Sequence, residues 1–151
     1  EEPEEDRVAY RLAAIRECFE EAGMLIGSLR SPTGAQALPG WRTRVLDETA
    51  HWRQLIEQQQ FLPSLNRLHY LFRRITPPGL PRRFDTRFYV TAAPDAQEAS
   101  VCQAEVIDAR WVNPEQALEL DRQGRFTLLN PTRAGLQMMT DPVVQARVFA
   151  A

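Results

Sequence analysis

The sequence contains no lysine: all 18 basic residues are arginine. Such a bias matches the codon usage of a GC-rich genome, and it leaves every side-chain cation a planar fork able to hold a phosphate with two hydrogen bonds. Cysteine and histidine are scarce, at two each. Cys18 and Cys102 stand alone, without metal-ligand spacing, and read as small packed residues in place of a disulfide or a nucleophile. His51 and His69 have no partner at ligand spacing, which argues against a histidine metal site. No apolar run approaches the length of a membrane span and no signal peptide is visible. The expected compartment is the cytoplasm, or an organelle matrix in a eukaryote. The formal charge of −2 lacks the basic stripe that phosphate backbones reward, so neither nucleic acid nor membrane is an expected partner. With 151 residues, 44% of them hydrophobic and 25% charged, the chain reads as one globular domain, 1–151.

What is present is a concentrated acidic motif, Arg16-Glu17-Cys18-Phe19-Glu20-Glu21-Ala22-Gly23-Met24. Glutamates at i, i+3 and i+4 project from one face of a helix and can converge on a shared cation. Val8, Leu12, Ile15 and Phe19 recur at helical spacing. With Glu17 set at zero, these four fall at roughly 160 to 220 degrees around the axis and Glu20 and Glu21 within about 60 degrees of Glu17. The acidic face therefore points away from the buried stripe. Like charges at these spacings repel by a few tenths of a kcal/mol per pair, and carboxylates in the last turns oppose the helix dipole. Arg16 offsets part of that cost, and a divalent cation would offset more. Gly23 suits the left-handed residue that ends a helix running from about Glu4 or Glu5 to Ala22. The plainer alternative is an ordinary solvated acidic face.

The string arginine, glutamate, apolar, any, glutamate, glutamate, any, glycine, apolar resembles the C-terminal half of the box that marks Nudix hydrolases, with Cys18 and Met24 as its apolar residues. The first half of that box departs: the family places a glutamate where Val8 stands and a glycine where Glu2 stands. A Nudix domain also carries strands before this helix, whereas the chain opens on Glu1. The expectation is a Nudix-like α/β/α sandwich with a mixed sheet and extra C-terminal helices. Its N-terminal strands would have been removed or left out, or would come from another chain.

Downstream, Met24 to Leu29 reads as a buried strand, and the Pro/Gly/Ala-rich stretch from Ser31 to Gly40 as a loop. Trp41 to Gln60 is helical in pattern, and Phe61 to Arg67 is a connector. Leu68 to Thr76 and Arg82 to Ala92 form a strand pair about a Pro77-Pro78-Gly79 turn. In the second strand Phe84, Thr86, Phe88 and Val90 oppose Asp85, Arg87 and Tyr89. Val101 to Ala104 and Glu105 to Val112 are weaker strands. Three helices follow, opened by Asn113-Pro114, Asn130-Pro131 and Asp141-Pro142.

Arg82-Arg83-Phe84-Asp85-Thr86, with Glu105-Val106, Arg110-Trp111-Val112 and Pro114-Glu115-Gln116-Ala117-Leu118, is similar to the Nudix branch that includes the peroxisomal coenzyme A diphosphatases. An insertion interrupts the box in that branch, which accounts for its unreadable first half here. The resemblance implies Mg²⁺, with Mn²⁺ as substitute, held by Glu17 and Glu21, with Glu20 as third ligand or base. Arg16 would orient the glutamates. It further implies hydrolysis of a nucleoside diphosphate linked to another moiety, such as coenzyme A or acyl-CoA, with ADP-ribose and NADH open. Glu105, ahead of Glu98, is the candidate for an additional carboxylate. Arg82 and Arg83 could receive a substrate phosphate such as the 3′-phosphate of coenzyme A, or be solvated charges opening a strand. Phe84 and Trp111 are expected in the core. A homodimer is left open. The competing class is a non-catalytic Nudix-derived binding or interaction module, favoured by Val8 and Glu2.

Overall fold

Gly23 ends the first helix as the sequence requires. In the computed structural model, which describes residues 1–30, 34–101 and 110–149, helix α1 spans Arg7–Ala22 and Gly23 adopts φ 71°. Only glycine enters that left-handed region without steric cost. Ile15 and Phe19 are fully buried, but Val8, at the start of the apolar stripe, is 58% exposed. The stripe is covered only along its C-terminal half, where the packing elements lie.

The chain divides into two compact units. One comprises Pro3–Leu68 and Ala93–Ala109. It holds α1, strand β1 (Gly27–Leu29), helices α2 (Gly34–Asp47) and α3 (Ala50–Gln58), strand β2 (Phe61–Pro63) and a 3₁₀ turn at Leu65–Arg67. The expected strand from Met24 is shorter than anticipated: Met24, Leu25 and Ile26 are buried but lie outside any strand. The Gln97 side chain stands in for a neighbouring strand, accepting from Leu25 N–H at 2.7 Å and donating to its carbonyl at 3.0 Å. β1 and β2 pair antiparallel, Ser28 opposite Leu62, so Phe61 to Pro63 is more than a connector.

Residues 34–40 are helix where proline and glycine predict loop. Burial of Leu38, Trp41 and Val45 on one face outweighs the local breakers, including Pro39, which lies in the second turn and forfeits one hydrogen bond of the ladder. The single expected helix over Trp41 to Gln60 is two, interrupted at Glu48 and Thr49. Phe19, Trp52 and Phe61 form the aromatic centre of this unit, with ring centroids 6.2 and 5.9 Å apart in sequence. Gly27 lets the backbones meet: a Cβ there would lie 2.3 Å from the Leu62 carbonyl.

The other unit comprises Glu1–Glu2, His69–Ala92 and Arg110–Ala151. Strands β3 (His69–Ile75) and β4 (Asp85–Val90) form the expected antiparallel hairpin, with a register shift between Tyr70 and Phe72. Phe72 and Phe88 stack at 4.7 Å across it. The residue of β4 most hidden from solvent is Arg87, 7% exposed. Beside it Tyr89 Oη donates to Glu2 Oε1 at 2.8 Å. Phe84 and Trp111, expected in the core, are 61% and 76% exposed. Phe84 precedes β4, at the turn end of the hairpin. Val101 and Arg110 to Val112 lie outside any strand, and the remaining residues of the two weaker strand assignments, 102–109, lie outside those described.

The C-terminal helices are α4 (Pro114–Arg122), α5 (Asn130–Met139) and α6 (Pro142–Phe149). Asn113 Oδ1 accepts the Gln116 N–H at 2.7 Å and Asp141 Oδ1 the Val143 N–H at 2.8 Å, as side chains before a proline-led helix do. Asn130 is not the cap expected: Leu129 occupies that position, and Asn130 Oδ1 accepts from Arg133 Nη1 at 2.8 Å. Asp121 joins the first two helices, accepting from the Leu128 N–H at 2.9 Å and Arg133 Nε at 2.7 Å. The hydrogen bond from Arg133, followed by that from Leu128, holds the Asp121 carboxyl below the usual carboxylate range.

The α/β class expected from the sequence holds: six helices and four strands lie among the described residues. Among the described residues both sheets are antiparallel pairs, and most of the two weaker expected strands lie outside those residues.

Candidate active site

The acidic face of α1 forms one wall of a cleft. Arg16, Glu17, Glu20 and Glu21 line a cavity of about 110 Å³ together with Val45, Leu46 and Thr49 from the end of α2 and the break before α3. Helical spacing gathers the four charged groups, and the packing of α2 against α1 supplies the opposite wall. Arg16 Nη1 donates to Glu20 Oε1 at 2.6 Å and Oε2 at 2.7 Å, while Nη2 donates to Glu17 Oε1. The Glu20 side chain is 13% exposed and that of Glu17 53%. Glu20 is thus held, and Glu17 has room to turn.

The main chain beneath these side chains is fastened at its C-terminal end. An α-helix leaves its last four carbonyls without intrahelical partners. Here each has one: Phe19 accepts from the Gly23 N–H at 3.0 Å, Glu20 from Arg42 Nε at 3.0 Å, Glu21 from Arg42 Nη2 at 2.6 Å and Ala22 from the Ser100 N–H at 2.9 Å. Arg42 also donates to Ser100 Oγ at 2.8 Å and to its carbonyl at 3.0 Å. A cation at this terminus complements the helix dipole that the glutamates oppose. Nothing in the sequence marks Arg42 for this role. Arg42 lies in the part of α2 that the pattern predicts as helix, but its partners are distant in sequence.

Cys18 is a packed thiol, as expected: burial, then the charge of Glu21, pushes its pKa up, away from the thiolate a nucleophile needs. His51 Nδ1 donates to the Arg44 carbonyl at 2.7 Å, a structural contact. Glu98 is exposed. Glu105, the favoured additional carboxylate, lies outside the described residues. Arg82 and Arg83 belong to the other unit, both exposed in the turn before β4. Arg83 Nε donates to the Thr76 carbonyl at 3.0 Å, bracing the hairpin end.

In chemistry the donor set fits a hard divalent ion: three carboxylates lining one small polar cavity. Their present side-chain positions are not gathered around one point, since no three acidic, histidine or cysteine groups among the described residues converge on an ion position. The guanidinium of Arg16 lies between Glu17 and Glu20 as their counter-ion.

A family profile described as the NUDT19 Nudix domain matches residues 1–137. The human acyl-coenzyme A diphosphatase NUDT19 is 34% identical over 126 residues, covering 74% of this chain and 34% of that protein. Putative nudix hydrolase 7 of Caenorhabditis elegans is 27% identical over 133 residues, covering 81% of this chain and 41% of that one. The chain thus spans between a third and about two-fifths of the length of these relatives. In structure it resembles a Nudix hydrolase from Alicyclobacillus acidocaldarius with a TM-score of 0.77 and 26% identity, over 91% of this chain and 64% of that one. With the profile covering most of its length and the box glutamates lining a common cleft, the chain belongs to the Nudix hydrolase family, in the NUDT19 group.

Proposed function

We propose that this chain is the catalytic domain of a divalent-metal-dependent diphosphatase that hydrolyses a nucleoside diphosphate conjugate of the coenzyme A or acyl-CoA type. The observation that carries the proposal is that Arg16, Glu17, Glu20 and Glu21 line one cavity, with both oxygens of Glu20 held by Arg16. The names of the relatives from human and chicken, acyl-coenzyme A diphosphatase, support the substrate class. A small-molecule conjugate is the proposed partner, and the cytoplasm or an organelle matrix the proposed setting.

Glu17 and Glu21 are the residues proposed to hold Mg²⁺ or Mn²⁺, with Glu20 as third ligand or base. The bound ion would supply an activated water and neutralise charge on the diphosphate oxygens. Arg16 orients Glu20 and restrains Glu17 through one guanidinium, without reaching for substrate. Glu20, held near the cavity wall, can accept a proton as water attacks phosphorus. The bond from that phosphorus to the bridging oxygen breaks, and two phosphate esters leave. Arg82 and Arg83, both exposed, are proposed to receive a peripheral phosphate. Glu105 is the proposed additional carboxylate.

A second reading, a non-catalytic binding module, is favoured by Val8, which stands exposed where the family box has glutamate. The two separate in ¹⁸O-labelled water with Mg²⁺ and coenzyme A, an acyl-CoA, NADH or ADP-ribose. The diphosphatase gives two phosphate esters, one carrying a single heavy oxygen. No turnover of any of the four by the full-length protein supports the module.

A further inference from the structure

We infer that Arg42 is a positioning residue for the metal centre, acting through the main chain of Glu20 and Glu21. The inference rests on the assignment of those glutamates as metal ligands or base. Two consecutive carbonyls belonging to two carboxylate-bearing residues are held by one rigid guanidinium, which is itself anchored to Ser100 by two more hydrogen bonds. The plane of the guanidinium thereby fixes the relative orientation of the two peptide groups from which the side chains of Glu20 and Glu21 depart. Gly23 completes the arrangement. A Cβ at that position would lie 3.1 Å from Arg42 Nη1 and 2.8 Å from Ser100 Oγ, so the glycine leaves the room that the arginine and serine occupy.

Position and charge make opposite predictions here. As a nearby positive charge, Arg42 repels a divalent cation, and removing it would tighten binding. As the brace of the two peptide groups, it pre-arranges ligands, and removing it weakens binding; loss of groups that orient metal ligands lowers affinity by roughly 10- to 100-fold. Geometry favours the second, since four of the guanidinium's contacts go to groups of the helix end and Ser100, and none goes to a box carboxylate.

Titration of Mn²⁺ into the whole chain, followed by the electron paramagnetic resonance of the free ion, tests this without requiring turnover. Arg42→Gln removes the charge and the fork; Arg42→Lys keeps the charge and loses the fork. The inference predicts that both variants bind Mn²⁺ about tenfold or more weakly than the parent. Tighter binding by Arg42→Gln, with Arg42→Lys at the parent value, overturns it in favour of simple charge repulsion. Parent-like binding by both overturns it outright. If Arg42→Gln does not fold, Arg42→Lys alone decides, because only loss of the fork can weaken its binding. Failure of the parent itself to bind Mn²⁺ is distinguishable from these, and overturns the metal assignment together with this inference.

Discussion

One guanidinium nitrogen of Arg16 donates to both carboxylate oxygens of Glu20, one helical turn away, at 2.6 and 2.7 Å. The pair is partly shielded from water, with side-chain exposures of 21% and 13%, and the same guanidinium also engages Glu17. Arg16 therefore couples two of the three box carboxylates.

Arg16→Lys retains the charge but cannot engage both glutamates with a planar fork. Unfolding stability should change by no more than about 1 kcal/mol, as for other partly exposed ion pairs. Turnover of the diphosphate should fall by roughly tenfold or more at nearly constant KM, as expected when a ligand loses its orienting partner. Steady-state kinetics beside urea unfolding separates the two effects. An unchanged kcat would remove Arg16 from the machinery.

Gly23→Ala places a side chain in the left-handed region and against Ser100 Oγ. The backbone cost alone is about 1–2 kcal/mol. Urea unfolding should show at least that loss. A neutral result would mean that the helix end relaxes freely, contrary to the fastening by Arg42 and Ser100.

The parts of this molecule that follow from local chemistry were legible in its sequence. Gly23 ends α1, Asn113 and Asp141 cap their helices, and β3 and β4 pair about the proline-rich turn. Glu17, Glu20 and Glu21 share a cleft because helical spacing alone brings them together. What local pattern could not reveal depends on packing between distant segments. Helix α2 runs through Pro39 because Leu38, Trp41 and Val45 are buried by other elements, and the service of Arg42 to α1 joins residues more than twenty positions apart in sequence. Phe84 and Trp111 look like core by residue type, yet burial is a property of what covers them.

Phe61 is 1% exposed, abuts Trp52 and lies under Gly27. Truncation to alanine should cost about 3–5 kcal/mol, a large part of the stability of a domain this size. Equilibrium urea unfolding measures it. A loss below about 1 kcal/mol would show that the aromatic cluster collapses around the gap.

Burial, reinforced by the hydrogen bond to Glu2, pushes the Tyr89 hydroxyl up to about 12. The neutral form is favoured in the folded state, so this contribution to stability is intact below the ordinary tyrosine value near 10 and is lost as pH rises through about 12. Phenolate absorbance should show a late-titrating component that Tyr89→Phe abolishes. Titration of every tyrosine near 10 would contradict the contact with Glu2.

The central claim, that the acidic edge of α1 is the metal-dependent hydrolytic centre, is tested most directly by assaying Mg²⁺-dependent release of phosphate esters from coenzyme A in the parent, Glu17→Gln and Glu21→Gln. Each substitution preserves size and removes one charge from the cavity. The account predicts turnover in the parent and background rates in both variants, with their unfolding midpoints near the parent value. Parent-like turnover in either variant, with the same requirement for Mg²⁺, would contradict the role assigned to that carboxylate.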